Sequence, residues 1–118
     1  GIIRGQWGPK TDVKMANSEF DGFSNTVAMR DAGSEIAERA LALTIDGLND
    51  YYIAARREAR VIFANVSDQY PSEYRWTSTQ TAGTSDWAWS QFFGLGGQHD
   101  WRKATDFPAL LVRRVPIR

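Results

Sequence analysis

The stretch Asp86-Trp87-Ala88-Trp89-Ser90-Gln91-Phe92-Phe93-Gly94-Leu95-Gly96-Gly97-Gln98-His99-Asp100-Trp101-Arg102-Lys103 decides the fold class. It is dense in aromatic side chains, which favour a pleated, half-buried surface, and glycines interrupt it only at 94, 96 and 97. Residues 86–93 read as a strand in which Trp87, Trp89, Gln91 and Phe93 share one face. Gly94 to Gly97 is then a hairpin turn. Residues 98–103 form the return strand, with Gln98, Asp100 and Arg102 on one face and His99, Trp101 and Lys103 on the other.

Outward from this hairpin, Arg75-Trp76-Thr77 is a short β-prone run and Thr81 to Asp86 a loop, while Leu110 to Val115 reads as a last strand. The first half has a helical period instead. Asn25 is a candidate cap for a short helix through Met29 to Asp31, and Gly33-Ser34 breaks it and caps a second stretch from Glu35 to Leu43. There Ile36, Ala37, Ala40, Leu41 and Leu43 make an apolar stripe, with Glu35, Glu38 and Arg39 toward water. Asp46-Gly47-Leu48-Asn49-Asp50 is turn chemistry and Tyr51-Tyr52-Ile53 a short strand. Another helix follows, with Ala55, Ala59, Ile62, Phe63 and Val66 on its apolar side and Arg56, Arg57 and Arg60 outside, closed by Pro71. Residues 1–20, with Gly1, Gly5, Gly8 and Pro9, read as a strand and an irregular loop. Two helices followed by antiparallel strands predict one α+β domain over 1–118, both helices on one side of the sheet, without repeats or linker.

Composition narrows the function. At 118 residues and 13.3 kDa, folding buries about two thirds of the surface of the extended chain, enough for a core without staples. Lys plus Arg and Asp plus Glu both number 14, so no net field attracts a polyanion and nucleic acid is not an expected partner. The absence of cysteine excludes disulfides, thiolate zinc sites and thiol catalysis. No apolar run has the length of a membrane span and no signal peptide opens the chain, so membrane insertion is not expected. Gly1 in place of Met indicates a processed chain or the C-terminal part of a longer one.

The residues offer little for catalysis. His99 and Asp100 are neighbours on a strand and point to opposite faces, which separates the one histidine from its adjacent carboxylate, and the pattern places no nucleophile. The glycines at 94–97 are followed by a strand, whereas a phosphate-cradling loop leads into a helix. The acidic pairs Asp46/Asp50 and Asp100/Asp106 lack the alternating oxygen ligands of a calcium loop. Arg102, Lys103, Arg113, Arg114 and Arg118 make the end of the chain basic, as edges that resist sheet-on-sheet pairing often are. What remains is Ser, Thr and Gln set among aromatic rings: Trp76 to Thr81, Ser85-Asp86-Trp87 and Trp89-Ser90-Gln91. Rigid rings with adaptable hydrogen-bonding neighbours are the chemistry of recognition surfaces. Trp76, Trp89 and Phe93 are assigned to the core, and Trp101 is open between core and surface anchor.

Taken in order, several of these pieces resemble a bacterial and phage family of C-type-lectin-like domains, found in a Legionella collagen-like adhesin and in phage tail and virion proteins. Asp46-Gly47-Leu48-Asn49-Asp50-Tyr51-Tyr52-Ile53 before a helix is similar to its D-G-x-x-D-W-Y-L pattern. Arg75-Trp76-Thr77-Ser78-Thr79-Gln80, Trp87-Ala88-Trp89 with Phe93, Gly96-Gly97-Gln98 and Val112-Arg113-Arg114-Val115 follow its later signatures. Asp21 to Thr26 with Ala32-Gly33-Ser34 looks like the phage branch.

The resemblance implies a C-type-lectin-like fold: two helices, a twisted and mostly antiparallel sheet, and a loop-rich second half that displays variable residues. It further implies a non-enzymatic phage virion protein, a fibre or tail adhesin that binds a bacterial surface receptor, protein or glycan, as a homo-oligomer within the particle and without a cofactor. The ligand-binding residues it points to are Ser85, Asp86, Trp87, Gln98, His99, Trp101 and Lys103, with no catalytic or metal-binding residue. The alternative is a decoration or cement protein that contacts other virion proteins. Two departures matter. Ala54-Ala55 replaces the usual Pro and Ser or Thr before the helix, which removes a cap worth about 1 kcal/mol. The Glu-Pro-Asn or Gln-Pro-Asp loop and the Trp-Asn-Asp triplet of calcium-dependent sugar binders are missing, so calcium-mediated binding does not carry over.

Overall fold

The computed structural model describes residues 3–113. Its organising element is β3 (Tyr74–Gln80), which is longer than the short run predicted around Trp76. Residues 76–80 are buried in succession, so no alternation marks the strand in the sequence. β3 pairs antiparallel with β4 (Trp87–Phe92), and β4 with β5 (Gln98–Arg102), in the order β3-β4-β5. The hairpin register sets Trp87 opposite Arg102 and Gln91 opposite Gln98.

The far edge of β3 is closed by three separate pieces of chain. The Trp76 carbonyl accepts the Leu110 N–H at 3.0 Å, while the N–H groups of Ser78 and Gln80 donate to the Ala54 and Ala16 carbonyls at 2.8 and 3.0 Å. Two short antiparallel ribbons complete the strands: β1 (Arg4–Gly5) with β6 (Phe107–Pro108), and β2 (Tyr51–Ile53) with β7 (Leu111–Arg113). The fold is therefore α+β, but among the described residues with three small antiparallel sheets in place of one. Of the predicted last strand, Arg114 and Val115 lie outside the described residues.

Among the described residues the three helical stretches of the sequence form three separate α-helices, where the fold class expected two packed on the sheet. The first, α1 (Gly22–Asp31), starts earlier than the Asn25 cap predicted, because Asp21 caps it: its Oδ1 accepts the Ser24 N–H at 3.0 Å. Asn25 is instead fully buried inside the helix, where its amide holds both backbone groups of Ser18, at 3.1 and 2.7 Å. Ser34 caps α2 (Glu35–Leu41) as predicted, and its hydroxyl also donates to the Trp7 carbonyl at 2.6 Å. The stripe of Ile36, Ala37 and Ala40 is buried. Asp46 and Gly47, both with positive φ, make the tight two-residue turn between Ile45 and Leu48.

Ala55, which cannot cap α3 (Arg56–Val66) with its side chain, is relieved by neighbours. Glu58 Oε1 accepts the Ala55 N–H at 2.9 Å, Thr79 Oγ1 accepts that of Arg56 at 3.0 Å, and the Glu19 carbonyl accepts that of Arg57 at 2.9 Å. Glu58 Oε1 also takes the Gly22 N–H at 3.0 Å, and Tyr52 donates its hydroxyl to Oε2 at 2.8 Å. One carboxylate thus joins the starts of α1 and α3.

The main core gathers Ile3, Trp7, Val13, Met29, Ile36, Ile53 and Trp76; a second cluster forms around Phe93 and Leu110, against Phe63 and Tyr70 of the α3 side. Trp7 is fully buried, and its Nε1–H donates to the Thr77 carbonyl at 2.9 Å. The N-terminal loop is thus a structural part of the core.

Candidate functional site

The β4–β5 hairpin presents two faces of different chemistry. On one, Arg102 reaches over the Trp87 ring at 5.1 Å and pairs with Asp86 at 3.0 Å. Further along, Arg56 of α3 stacks on Trp89 at 3.6 Å. Trp89, assigned to the core from sequence, is therefore half-buried beneath a guanidinium, and Arg56 lies inward of the solvent side on which it was placed.

Gln98 belongs to the same face and is tied down. Its amide nitrogen donates to the Arg56 carbonyl at 2.7 Å and to Gln91 Oε1 at 3.0 Å, while its oxygen accepts from Arg56 Nε and Arg60 Nη2 at 3.0 and 2.9 Å. These bonds make Gln98 the anchor of the hairpin on α3.

The opposite face is aromatic. Tyr74 of β3 stacks on Phe92 with centroids 4.5 Å apart and meets Trp101 edge-on at 5.4 Å. Phe107 packs against Tyr74, Trp76 and Trp101 at 5.4, 5.1 and 5.6 Å. His99 adds its ring at 5.9 Å from Tyr74. Trp101 is 37% exposed, so it is a surface residue whose ring is held by its neighbours. Tyr74, Phe92 and Phe107 belong with it, although the sequence alone did not single them out. The signal was the strand register, since Tyr74 lies opposite Phe92 and beside Trp76 on the same face.

Lys103 corrects the predicted site. It shares the face of His99 and Trp101, but the N-terminal loop covers that end of the sheet and leaves Lys103 with no exposed surface. Its ammonium donates to the Thr11 carbonyl at 2.8 Å and to Gln80 Oε1 at 3.0 Å, and the Trp7 N–H donates to the Lys103 carbonyl at 2.8 Å. Burial lowers the pKa of this ammonium from 10.5, opposed by the negative charges of Asp12 and Asp86. Lys103 is a tie between strand and loop and is withdrawn from the ligand-binding residues. Of the others, Ser85, His99 and Trp101 are exposed and Asp86 and Trp87 half-buried.

A separate groove of about 530 Å³ runs between residues 12–15 and α1, lined by Val13, Met15, Phe23, Val27 and Ala28. Among the described residues, no group of three His, Cys, Asp or Glu side chains is placed to hold a metal ion. No helix of the described residues is long and apolar enough to cross a membrane. Compared with models of protein families, with curated proteins and with solved structures, the chain matches none.

Proposed function

We propose that this chain is a C-type-lectin-like, receptor-binding domain of a phage virion, carried on a fibre or tail, which meets a bacterial surface receptor through the aromatic face around Trp101. The observation that carries this reading is that face itself. Tyr74, Phe92, Phe107 and Trp101 come from separate strands and fix one another, so Trp101 offers apolar area to a partner with little conformational entropy left to lose. His99 supplies a polar contact at its margin. The order of the sequence motifs supports the family and the virion setting. The reading assigns no catalytic step and no cofactor.

Binding of the labelled chain to whole bacterial cells tests it. Trp101→Ala should weaken binding by about 2 kcal/mol, with a smaller loss of stability from its edge contacts to Tyr74 and Phe107 and no change of fold by circular dichroism. Undiminished binding by the variant would overturn the role of this face.

The alternative, a decoration or cement protein of the capsid or tail, draws on the groove beside α1. Met15 is 78% exposed there, an apolar side chain suited to burial against a neighbouring virion subunit. Particles lacking the gene separate the readings: intact particles that fail to attach support adhesion, and fragile particles support cement.

A further inference from the structure

The sheet β3-β4-β5 has one closed edge and one open edge. Leu110, Ala54 and Ala16 occupy the hydrogen-bonding groups along β3, whereas no described element lies along the outer side of β5. The register shows which groups are free. The Phe92 N–H donates to the Gly97 carbonyl and the Lys103 N–H to the Asp86 carbonyl, so Gly97, His99 and Trp101 direct their backbone toward β4, as does the N–H of Lys103, whose carbonyl is taken by Trp7. Gln98, Asp100 and Arg102 therefore direct theirs outward. Among the described residues, of these groups only the Arg102 carbonyl has a backbone partner, the Thr105 N–H at 2.9 Å, and it retains a second lone pair.

We propose that this edge pairs with the β5 edge of a second copy of the chain, antiparallel, about a two-fold axis through Trp101. Opposite residues in an antiparallel ladder must both face outward or both face inward, so a two-fold axis has to pass through a residue. An axis at Asp100 sets carboxylate against carboxylate, and one at Arg102 sets guanidinium against guanidinium, both repulsive. An axis at His99 brings Gly97 opposite Trp101 and leaves Arg102 without an opposite charge. The axis at Trp101 sets Asp100 opposite Arg102 of the second copy, and Arg102 opposite its Asp100, so the charges are complementary twice over. Each such pair also exchanges its backbone N–H and C=O groups.

The side chains agree with this register. Asp100 and Trp101 are exposed, and among the described residues no side-chain hydrogen bond or ion pair involves Asp100. Arg102 uses Nη1 for Asp86 and keeps its remaining N–H groups for a second carboxylate. On the other face the two Trp101 rings become cross-strand neighbours, which joins both aromatic clusters into one wider surface and leaves their outer sides uncovered. The edge charges, which elsewhere guard against pairing, here select one register. The inference stands independently of what the aromatic face binds.

Sedimentation equilibrium from micromolar to millimolar concentration tests it. The expected result is an average mass rising from 13.3 kDa toward twice that value. Asp100→Arg places like charges opposite at both pairs, and Arg102→Glu does the same with the opposite sign; each should weaken self-association about tenfold or more. An equimolar mixture of the two variants restores complementary pairs and should associate as tightly as the native chain. Circular dichroism checks that both variants keep the native fold. A constant monomer mass at every concentration would overturn the proposal. So would single variants that associate like the native chain, or a mixture that shows no recovery.

Discussion

The ammonium of Lys103 lies 4.5 Å from the centre of the Trp7 ring, and both residues are fully buried. A cation at the end of the hairpin and an indole near the start of the chain thus form one contact, which fixes the N-terminal loop over the sheet. Such a charge is tolerated because a ring face, the Thr11 carbonyl and the Gln80 amide oxygen surround it.

The burial of this ammonium makes stability depend on alkaline pH. Folded Lys103 releases its proton more readily than the unfolded side chain does at 10.5, so between the lowered value and 10.5 the unfolded chain binds more protons. Stability from this group therefore rises with pH across that window and is lost as pH falls back through the folded pKa. Lys103→Met, which keeps the length and drops the charge, should abolish this increment; denaturation curves of the two proteins that stay parallel across the window would contradict it. Lys103→Ala should cost about 2–4 kcal/mol through the space left under Trp7.

Gly22 has no room for a side chain. A Cβ there would meet Glu58 Oε1, and would stand 2.6 Å from the Ile53 carbonyl oxygen and 2.7 Å from the Ala55 nitrogen. Two of these are backbone atoms in the core, so relief requires moving α1 off β2. Gly22→Ala should destabilise by about 3 kcal/mol in urea unfolding, an overpacking cost that also pushes Glu58 Oε1 away from the Gly22 and Ala55 amides.

Glu58 can be separated into charge and acceptor. Glu58→Gln retains an oxygen for the Gly22 and Ala55 amides and should cost about 1 kcal/mol, whereas Glu58→Ala leaves both donors unpaired and should cost about 3 kcal/mol. Thermal melting of the pair checks the ranking; equal losses would show that the amides do not depend on this side chain.

Gln98 sets the position of the hairpin by its bonds to Arg56, Arg60 and Gln91. Gln98→Ala should raise amide hydrogen exchange at Phe92 and Gly96, whose N–H groups close the turn, about tenfold while β3 remains protected. Unchanged exchange at those amides would place the anchoring elsewhere.

The hairpin was legible because the glycines at 94–97 and the aromatic alternation on either side both specify a strand reversal. Ser34 was legible as a cap because its hydroxyl acts locally. Asn25 was misread for the reverse reason: Asp21 offers the same chemistry a turn earlier, and only the packing of Ser18 against the helix shows which residue caps and which is buried. β3 was read short because its burial on both faces removes the period that marks a strand. The fate of Lys103 was invisible locally. Its neighbours in the strand predict an exposed residue, and its burial comes from Trp7 and Thr11, nearly the whole chain away. The aromatic face was partly legible, since Trp101 was named and its partners Tyr74, Phe92 and Phe107 were settled by register.

The closure of β3 by Ala16, Ala54 and Leu110 bears on how the chain reaches its native state. Those partners are drawn from the first fifth, the middle and the last tenth of the polypeptide, so the central strand acquires its bonds only when distant segments converge. Loop-closure entropy is spent before such contacts repay it, which places the domain among slow folders, on the order of milliseconds to seconds, despite its helical first half. During synthesis the edge of β3 stays open until Leu110 has left the ribosome, whatever has folded before it.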